Sequence, residues 1–473
     1  MGLATRSNEK GSLNHGVCQV AHDLPQADAC LDKLLAEFNR SKSPIQVDFR
    51  KMVDWVQYGE RASHMIHLYP AKLLPHIPIL FISNNILSSK GDLVLDPFCG
   101  SGTVILETLI SGREAIGADS NPLARLVSKV KTTPLGRGKL DSAYKRLRHR
   151  IQKSSPTSDF PDVVNIDHWF LPHVQQQLNH IRACVDVMKN GDVRDFFKVA
   201  FSNTIKRVSL ADPNISVPVK LKKGKYNKNS KHYHKMQKLL DNLQTVDVYD
   251  VFYKLTESNI KRVNNYSELV GLEARRPIIY SDARCLTDED YSQADETVQL
   301  VVTSPPYSGA QKYIRSSSLS LGWLGICASN ELRVYEKQNI GREHYTKHEY
   351  TELPSTGISA ADELLKDIYK TYPLRAHISA NYLIEMEAAF REAYRVLKYH
   401  GYFVLVVANN HVCGKEFLTQ EYLKVLMETF GFKIELCLVD DIHSRGLMTK
   451  RNKSTSIIAC EWIMVFQKVR GYA

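Results

Sequence analysis

Residues 303–307 read Thr-Ser-Pro-Pro-Tyr and follow an apolar run that begins at Val298. Such a run, ending in a polar residue, two prolines and a ring, predicts a buried strand whose carboxyl end becomes a rigid, ligand-facing loop. Proline fixes its own φ and removes an N–H, so Pro305 offers only its carbonyl while Pro306 stiffens the turn. The Ser304 hydroxyl and the Pro305 carbonyl can accept both hydrogens of an NH₂ group, and the Tyr307 ring gives a flat heterocycle a face to stack on. The chemistry this set suits is work on an exocyclic amine. Far upstream, residues 93–103 read Leu-Val-Leu-Asp-Pro-Phe-Cys-Gly-Ser-Gly-Thr. A short apolar strand there ends in Asp96, and a Gly-x-Gly turn lets the backbone approach a ligand at Gly100 and Gly102. The third glycine of a dinucleotide fingerprint is missing, and so is the Gly-Lys-Ser/Thr of a phosphate loop. An acid before a glycine turn therefore suits a ligand with a positive centre and no pyrophosphate.

These residues need elements to hold them. Thr103 starts a helical pattern that runs to about Ile110, and Ala115–Asp119 reads as a second strand ending in an acid. A carboxylate at that strand end is placed to accept from ribose hydroxyls. Asn121-Pro122 turns the chain into another helix. Strand, glycine turn, helix, strand and acid make the first half of a doubly wound α/β sheet.

Asp96–Gly102 resembles the cofactor motif of S-adenosylmethionine-dependent DNA amino-methyltransferases, and Thr303–Tyr307 is similar to the catalytic motif of their cytosine-N4-specific members. The stretch His64–Pro75, with Tyr69-Pro70-Ala71-Lys72 at its centre, resembles the segment that precedes the glycine motif in bacterial and archaeal modification enzymes of this kind. The likeness spans roughly residues 60–135 and 275–467. It implies a Rossmann-like, seven-stranded mixed sheet of the class I S-adenosylmethionine-dependent methyltransferase type, with a largely helical insertion. It implies S-adenosylmethionine as cofactor, held by Asp96 at the methionine amino group, by Gly100 and Gly102 along the backbone, and by Asp119 at the ribose. Tyr69, Lys72 and Phe98 would wall the pocket, and Asp282 would accept from the adenine amino group, its bland alternative being a turn former. The implied reaction is methyl transfer to N4 of a flipped-out cytosine in double-stranded DNA, within a restriction–modification system whose endonuclease acts separately. Adenine-N6 methylation, RNA base methylation and non-catalytic nucleic-acid binding are the alternatives. Ser304 disfavours the first two, because adenine enzymes more often carry Asp or Asn there and small-base RNA enzymes an acid or Asn. The intact motifs disfavour the third.

Charge agrees with a polyanionic partner: 62 basic against 51 acidic residues give a formal +11. An apolar share of 43% over 473 residues allows a large core. Nine scattered cysteines without a Cys-x-x-Cys pair fit a reducing cytoplasm and no zinc site. His64 and His67 stand three apart but lack further ligands, so no metal is expected. The sequence shows no membrane-spanning run, and a cytoplasmic protein is expected.

The chain divides into a polar, partly helical extension (1–60), a cofactor half (61–138), a helical insertion (139–275) and a catalytic half with the last strands (276–473). Strands are expected near 93–96, 115–119, 277–280, 298–303, 402–408, 432–439 and 456–466, the last two forming an edge hairpin. A helix is expected over 69–90. The cofactor motif precedes the catalytic one, the unpermuted order for this family. Three basic groups are candidates for DNA contact: Lys222, Lys223, Lys225 and Lys228 in the insertion, Arg315 after the catalytic loop, and Arg445, Lys450 and Arg451 between the last strands. Lysines along a segment neutralise phosphates, whereas an Arg fork such as that of Arg445 can read guanine.

Overall fold

The computed structural model describes residues 25–56, 61–70, 72–222, 224, 227–287, 292–308, 312–442 and 460–470. Its centre is an eight-stranded sheet. In chain order the strands are β1 (Ile45–Val47), β2 (Leu93–Asp96), β3 (Glu114–Ala118), β4 (Ile278–Tyr280), β5 (Val298–Thr303) and β6 (Leu397–Val407). A small hairpin, β7 (Asn410–Val412) and β8 (Lys415–Phe417), precedes β9 (Phe432–Asp441) and β10 (Cys460–Lys468). Across the sheet the order is β1-β9-β10-β6-β5-β2-β3-β4. β10 runs antiparallel to both neighbours, and the other pairings are parallel. This is the class I methyltransferase sheet, with β1 added beside β9.

The seven strands expected from sequence are all present. Their apolar residues read as continuous runs because parallel strands are covered on both faces: Val298, Leu300, Val301 and Val302 of β5 are fully buried. β1 escaped notice because three residues carry too little periodicity to register. The helix expected over 69–90 is confined to His76–Ile82. Pro70 and Pro75 explain the shortfall at its start, since the residue before a proline is pushed towards extended backbone, and Pro75 itself is the N-cap.

Helix Pro25–Ser41 buries Ala27, Leu31, Leu34 and Phe38 in the same core as the sheet. Burial of each large side chain stabilises by roughly 1.5–3 kcal/mol. The helices between β3 and β4 build a second core: Pro172–Asp186, Gly191–Val208 and Val248–Val270 pack with Arg137–Lys153 around Phe196, Phe197, Phe201 and Phe252. That core also takes in Pro122–Lys131 and Tyr313–Trp323, so the insertion leans on the helix that follows the catalytic loop. None of the described helices is long and apolar enough to cross a membrane.

Candidate active site

Strand order reverses between β2 and β5, and ligands of open α/β sheets bind at the carboxyl ends of strands beside such a point. Here those ends are tied together. The Thr303 hydroxyl donates to Asp96 Oδ1 at 2.6 Å, and the Phe98 N–H donates to the same oxygen at 3.1 Å. Burial pushes the Asp96 carboxyl up to about 7 even against these bonds.

The glycine turn follows at once. Gly100 (φ +49°) donates its N–H to Asp119 Oδ2 at 3.0 Å, and the Asn121 N–H donates to Oδ1 at 2.7 Å. Each oxygen of Asp119 keeps a further lone pair, enough to accept from a vicinal diol. Burial raises this carboxyl to about 6. Gly102 (φ +74°) caps helix Thr103–Ile110, and a Cβ there would lie 2.3 Å from Ser128 Oγ. Its glycine is required by helix packing as much as by any ligand.

Tyr69, Pro97, Phe98, Gly100, Asp119, Ser120, Asp282, Ser304 and Pro306 line one cleft, together with Tyr313, Asn339 and Ile340. Expected cofactor and catalytic residues from five segments thus converge. Asn121 is the residue that organises the wall. Its Oδ1 accepts from Leu123 N, capping the helix, while Nδ2 donates to Tyr69 Oη at 3.0 Å and to Ser317 Oγ at 2.9 Å.

Other expected residues are spent differently. Lys72 does not line the cleft; its ammonium donates to the carbonyls of His67 (2.6 Å) and His64 (3.3 Å), bracing the loop, and burial lowers it to about 8. Gly102 is likewise absent from the lining. Asp282 lines the cleft but is clasped by Arg284, whose Nε and Nη2 donate to it at 2.9 and 2.7 Å. Pro305 is buried, and Tyr307 turns its hydroxyl away towards β10, donating to Glu461 Oε1 at 3.2 Å. His64 binds Glu107 at 2.6 Å and His67 binds Ser202 at 3.0 Å. Among the described residues no group of three or more His, Cys, Asp or Glu could hold a metal ion. Lys222, Lys228 and Arg315 are exposed. Lys223, Lys225, Arg445, Lys450 and Arg451 lie outside the described residues.

Sequence reasoning missed Ser120 and Asn339, which hydrogen-bond each other at 2.7 Å across the cleft. It also missed Arg284 and Glu461. None sits in a motif; only the fold brings them to the site. Asn121, by contrast, was visible as an Asn-Pro helix start.

The comparisons with known proteins agree with this geometry. The family described as DNA methylase, covering N6 and N4 types, matches residues 55–128, which contain Tyr69, Asp96, Gly100 and Asp119. The type II methyltransferase M.MvaI of Kocuria varians is 28% identical over 74% of this chain and 77% of its own. M.BsoBI of Geobacillus stearothermophilus, another type II methyltransferase, is 22% identical over 73% and 74%. The matched domain and these relatives make the chain similar to DNA amino-methyltransferases of the type II modification kind. Among solved structures, the rRNA methyltransferase aviRa of Streptomyces viridochromogenes aligns over 89% of this chain and 97% of its own, at 9% identity and a TM-score of 0.35. A Thermus thermophilus protein assigned as a DNA modification methylase, complexed with S-adenosyl-L-methionine, aligns over 38% and 51% at 19% identity and a TM-score of 0.19. Neither score carries weight; the fold rests on the strand order. S-adenosylmethionine is the methyl donor, and the cleft fits it: the Asp119 carboxylate lines it to face a cationic molecule, Gly100 leaves room beside Tyr69, and Asp96 stands behind the lining, tied to Thr303 and Phe98.

Proposed function

We propose that this amino-methyltransferase modifies N4 of cytosine in duplex DNA, as the modification half of a type II restriction–modification system. The observation that carries the reading is the sharing of one cleft by Ser304 and Pro306 with Gly100 and Asp119. When bound, S-adenosylmethionine supplies an electrophilic methyl group. The chain does the rest. Asp96 attracts an ammonium group, Asp119 accepts from the ribose hydroxyls, and Phe98 and Tyr69 exclude water. Ser304 Oγ and the Pro305 carbonyl accept from the two N–H bonds of the target amine, which draws its lone pair out of conjugation and aims it. Alignment of this kind accounts for much of the rate of a two-substrate reaction. Tyr307 stacks on the base, which must leave the helix to present its amine. Ser304 favours cytosine N4 over adenine N6, and a separate endonuclease of the same specificity is the natural partner.

Purified protein incubated with isotopically labelled S-adenosylmethionine and separate DNA and RNA pools tests this. N4-methylcytosine in the DNA, found by nucleoside mass spectrometry, is the expected product. N6-methyladenine, or label confined to RNA, would refute the assignment.

A further inference from the structure

The last strand reaches the catalytic loop. β10 carries Glu461 to the same edge as β5, where the Tyr307 phenol donates to its Oε1 at 3.2 Å. The Ser304 hydroxyl, which lines the cleft, is a further hydrogen-bonding neighbour of that phenol beside Tyr313. Ser304, Tyr307 and Glu461 therefore form a chain of exchangeable groups that starts in the cleft and ends on a carboxylate. We propose that this chain is a proton relay, with Glu461 the acceptor of the proton that the target amine must lose. The proposal rests on the amine-methylation reading above.

The balance is simple. As the new N–CH₃ bond forms and the sulfonium S–CH₃ bond breaks, the nitrogen acquires a formal positive charge and releases one proton. Ser304 Oγ takes that proton and passes its own to the Tyr307 oxygen. Tyr307 passes its own to Glu461, which ends as a neutral acid and later loses the proton to water. Serine alone is too weak a base for this, and a carboxylate two links away supplies the missing basicity. Glu461 is suited to the task. Burial raises its carboxyl above the ordinary range, and Asp440, its partner across the β9–β10 ladder, raises it further. The Tyr307 hydrogen bond and Arg50 pull it back down. Such a group holds a proton more readily than an exposed glutamate. Glu461 touches neither substrate, so its part is that of a positioned acceptor working through Tyr307.

The test uses the full chain, a duplex substrate and single-turnover transfer measured across pH. Wild-type activity should rise with pH as Glu461 ionises. Glu461→Gln keeps the shape and should lose that limb, with a rate on the order of 10²-fold lower and an unchanged cofactor Kd. Tyr307→Phe keeps the stacking ring, should lose a similar factor, and should add nothing further in the double variant. A readout free of turnover is infrared titration of the Glu461 carboxyl, identified by its absence in Glu461→Gln. Removing the phenol donor should move that titration to higher pH in Tyr307→Phe. Wild-type rate and pH profile in Glu461→Gln, with the fold confirmed by its cofactor Kd, would overturn the relay. So would full activity in Tyr307→Phe. A product of N6-methyladenine would instead remove only the cytosine assignment, because the same relay serves any exocyclic amine. Absence of transfer to any nucleic acid would remove both.

Discussion

Asp96 and Asp119 are two carboxylates raised, by burial, to about 7 and about 6. Both must be ionised to hold the cofactor, so its affinity should strengthen as pH rises from about 5 through 7. The sign for stability is opposite. A carboxyl raised above its ordinary 3.8 binds protons in the folded state, and the stability this brings is lost as pH rises through 6 to 7. Added S-adenosylmethionine should therefore raise the melting temperature more at pH 8 than at pH 5, and differential scanning fluorimetry can read the difference. Asp119→Ala should weaken binding by roughly 1.5–3 kcal/mol for each ribose hydrogen bond lost; an unaltered Kd by calorimetry contradicts the assignment. Ser304→Ala should leave that Kd nearly as it was and abolish or greatly lower transfer. At this scale the motifs were legible: Asp96, Asp119 and Ser304 announced their chemistry by type and by position at strand ends. Lys72 was not, because its neighbours, two loop carbonyls, are invisible to a motif. Glu461 was not either, being one acid at the start of an apolar strand 154 residues from the phenol it binds.

The elements that present these residues are joined by tight packing at the glycine turn. Gly102 combines a left-handed φ of +74° with a virtual Cβ only 2.3 Å from Ser128 Oγ. Gly102→Ala must strain the backbone and push helix Pro122–Lys131 away, at a cost of roughly 1–3 kcal/mol for the strain alone. A lowered denaturation midpoint with an unchanged m-value is expected, and a midpoint equal to wild type would show that the turn relaxes freely. Asn121→Ala removes a cap worth about 0.5–2 kcal/mol and releases Tyr69 from its 3.0 Å bond. Element types were the most legible part of the chain, since long apolar periods announce themselves, as in Gly191–Val208. Helix Val248–Val270 falls inside the expected helical insertion, but its own bounds were not drawn although it is 23 residues long. Its polar residues Asn259, Asn264 and Ser267 are buried, which breaks the apolar stripe that a reader follows. Asn259 spends its amide on the Ile66 carbonyl, a bond to the cofactor-side loop 193 residues away.

For the molecule as a whole, the excess of positive charge predicts how DNA binding responds to salt. Replacing Lys222, Lys223, Lys225 and Lys228 by glutamine should weaken cognate and scrambled duplexes alike. The slope of log affinity against log salt should fall by up to about 0.9 for each lysine that meets a phosphate. Turnover at saturating DNA should change far less. Binding across a salt series checks this, and equal slopes for wild type and variant would leave these lysines without a DNA role. The strand positions were legible from their apolar runs, and the sheet that joins them was implied by the family resemblance of the two motifs. The joining of β1 to β9 was not, because nothing local links residues on opposite flanks of the chain.

That joining has a consequence for how the protein is made. The Phe49 N–H donates to Asp440 Oδ1 across 391 residues of sequence, and β1 lies along β9 in the same register block. A ribosome adding about 5–20 residues per second needs on the order of 20–80 s to travel between them. Throughout that interval β1 and the apolar face of helix Pro25–Ser41 have no sheet edge to cover them. The nascent chain thus carries sticky surface for most of its synthesis, and its yield should depend on chaperone supply and on translation rate.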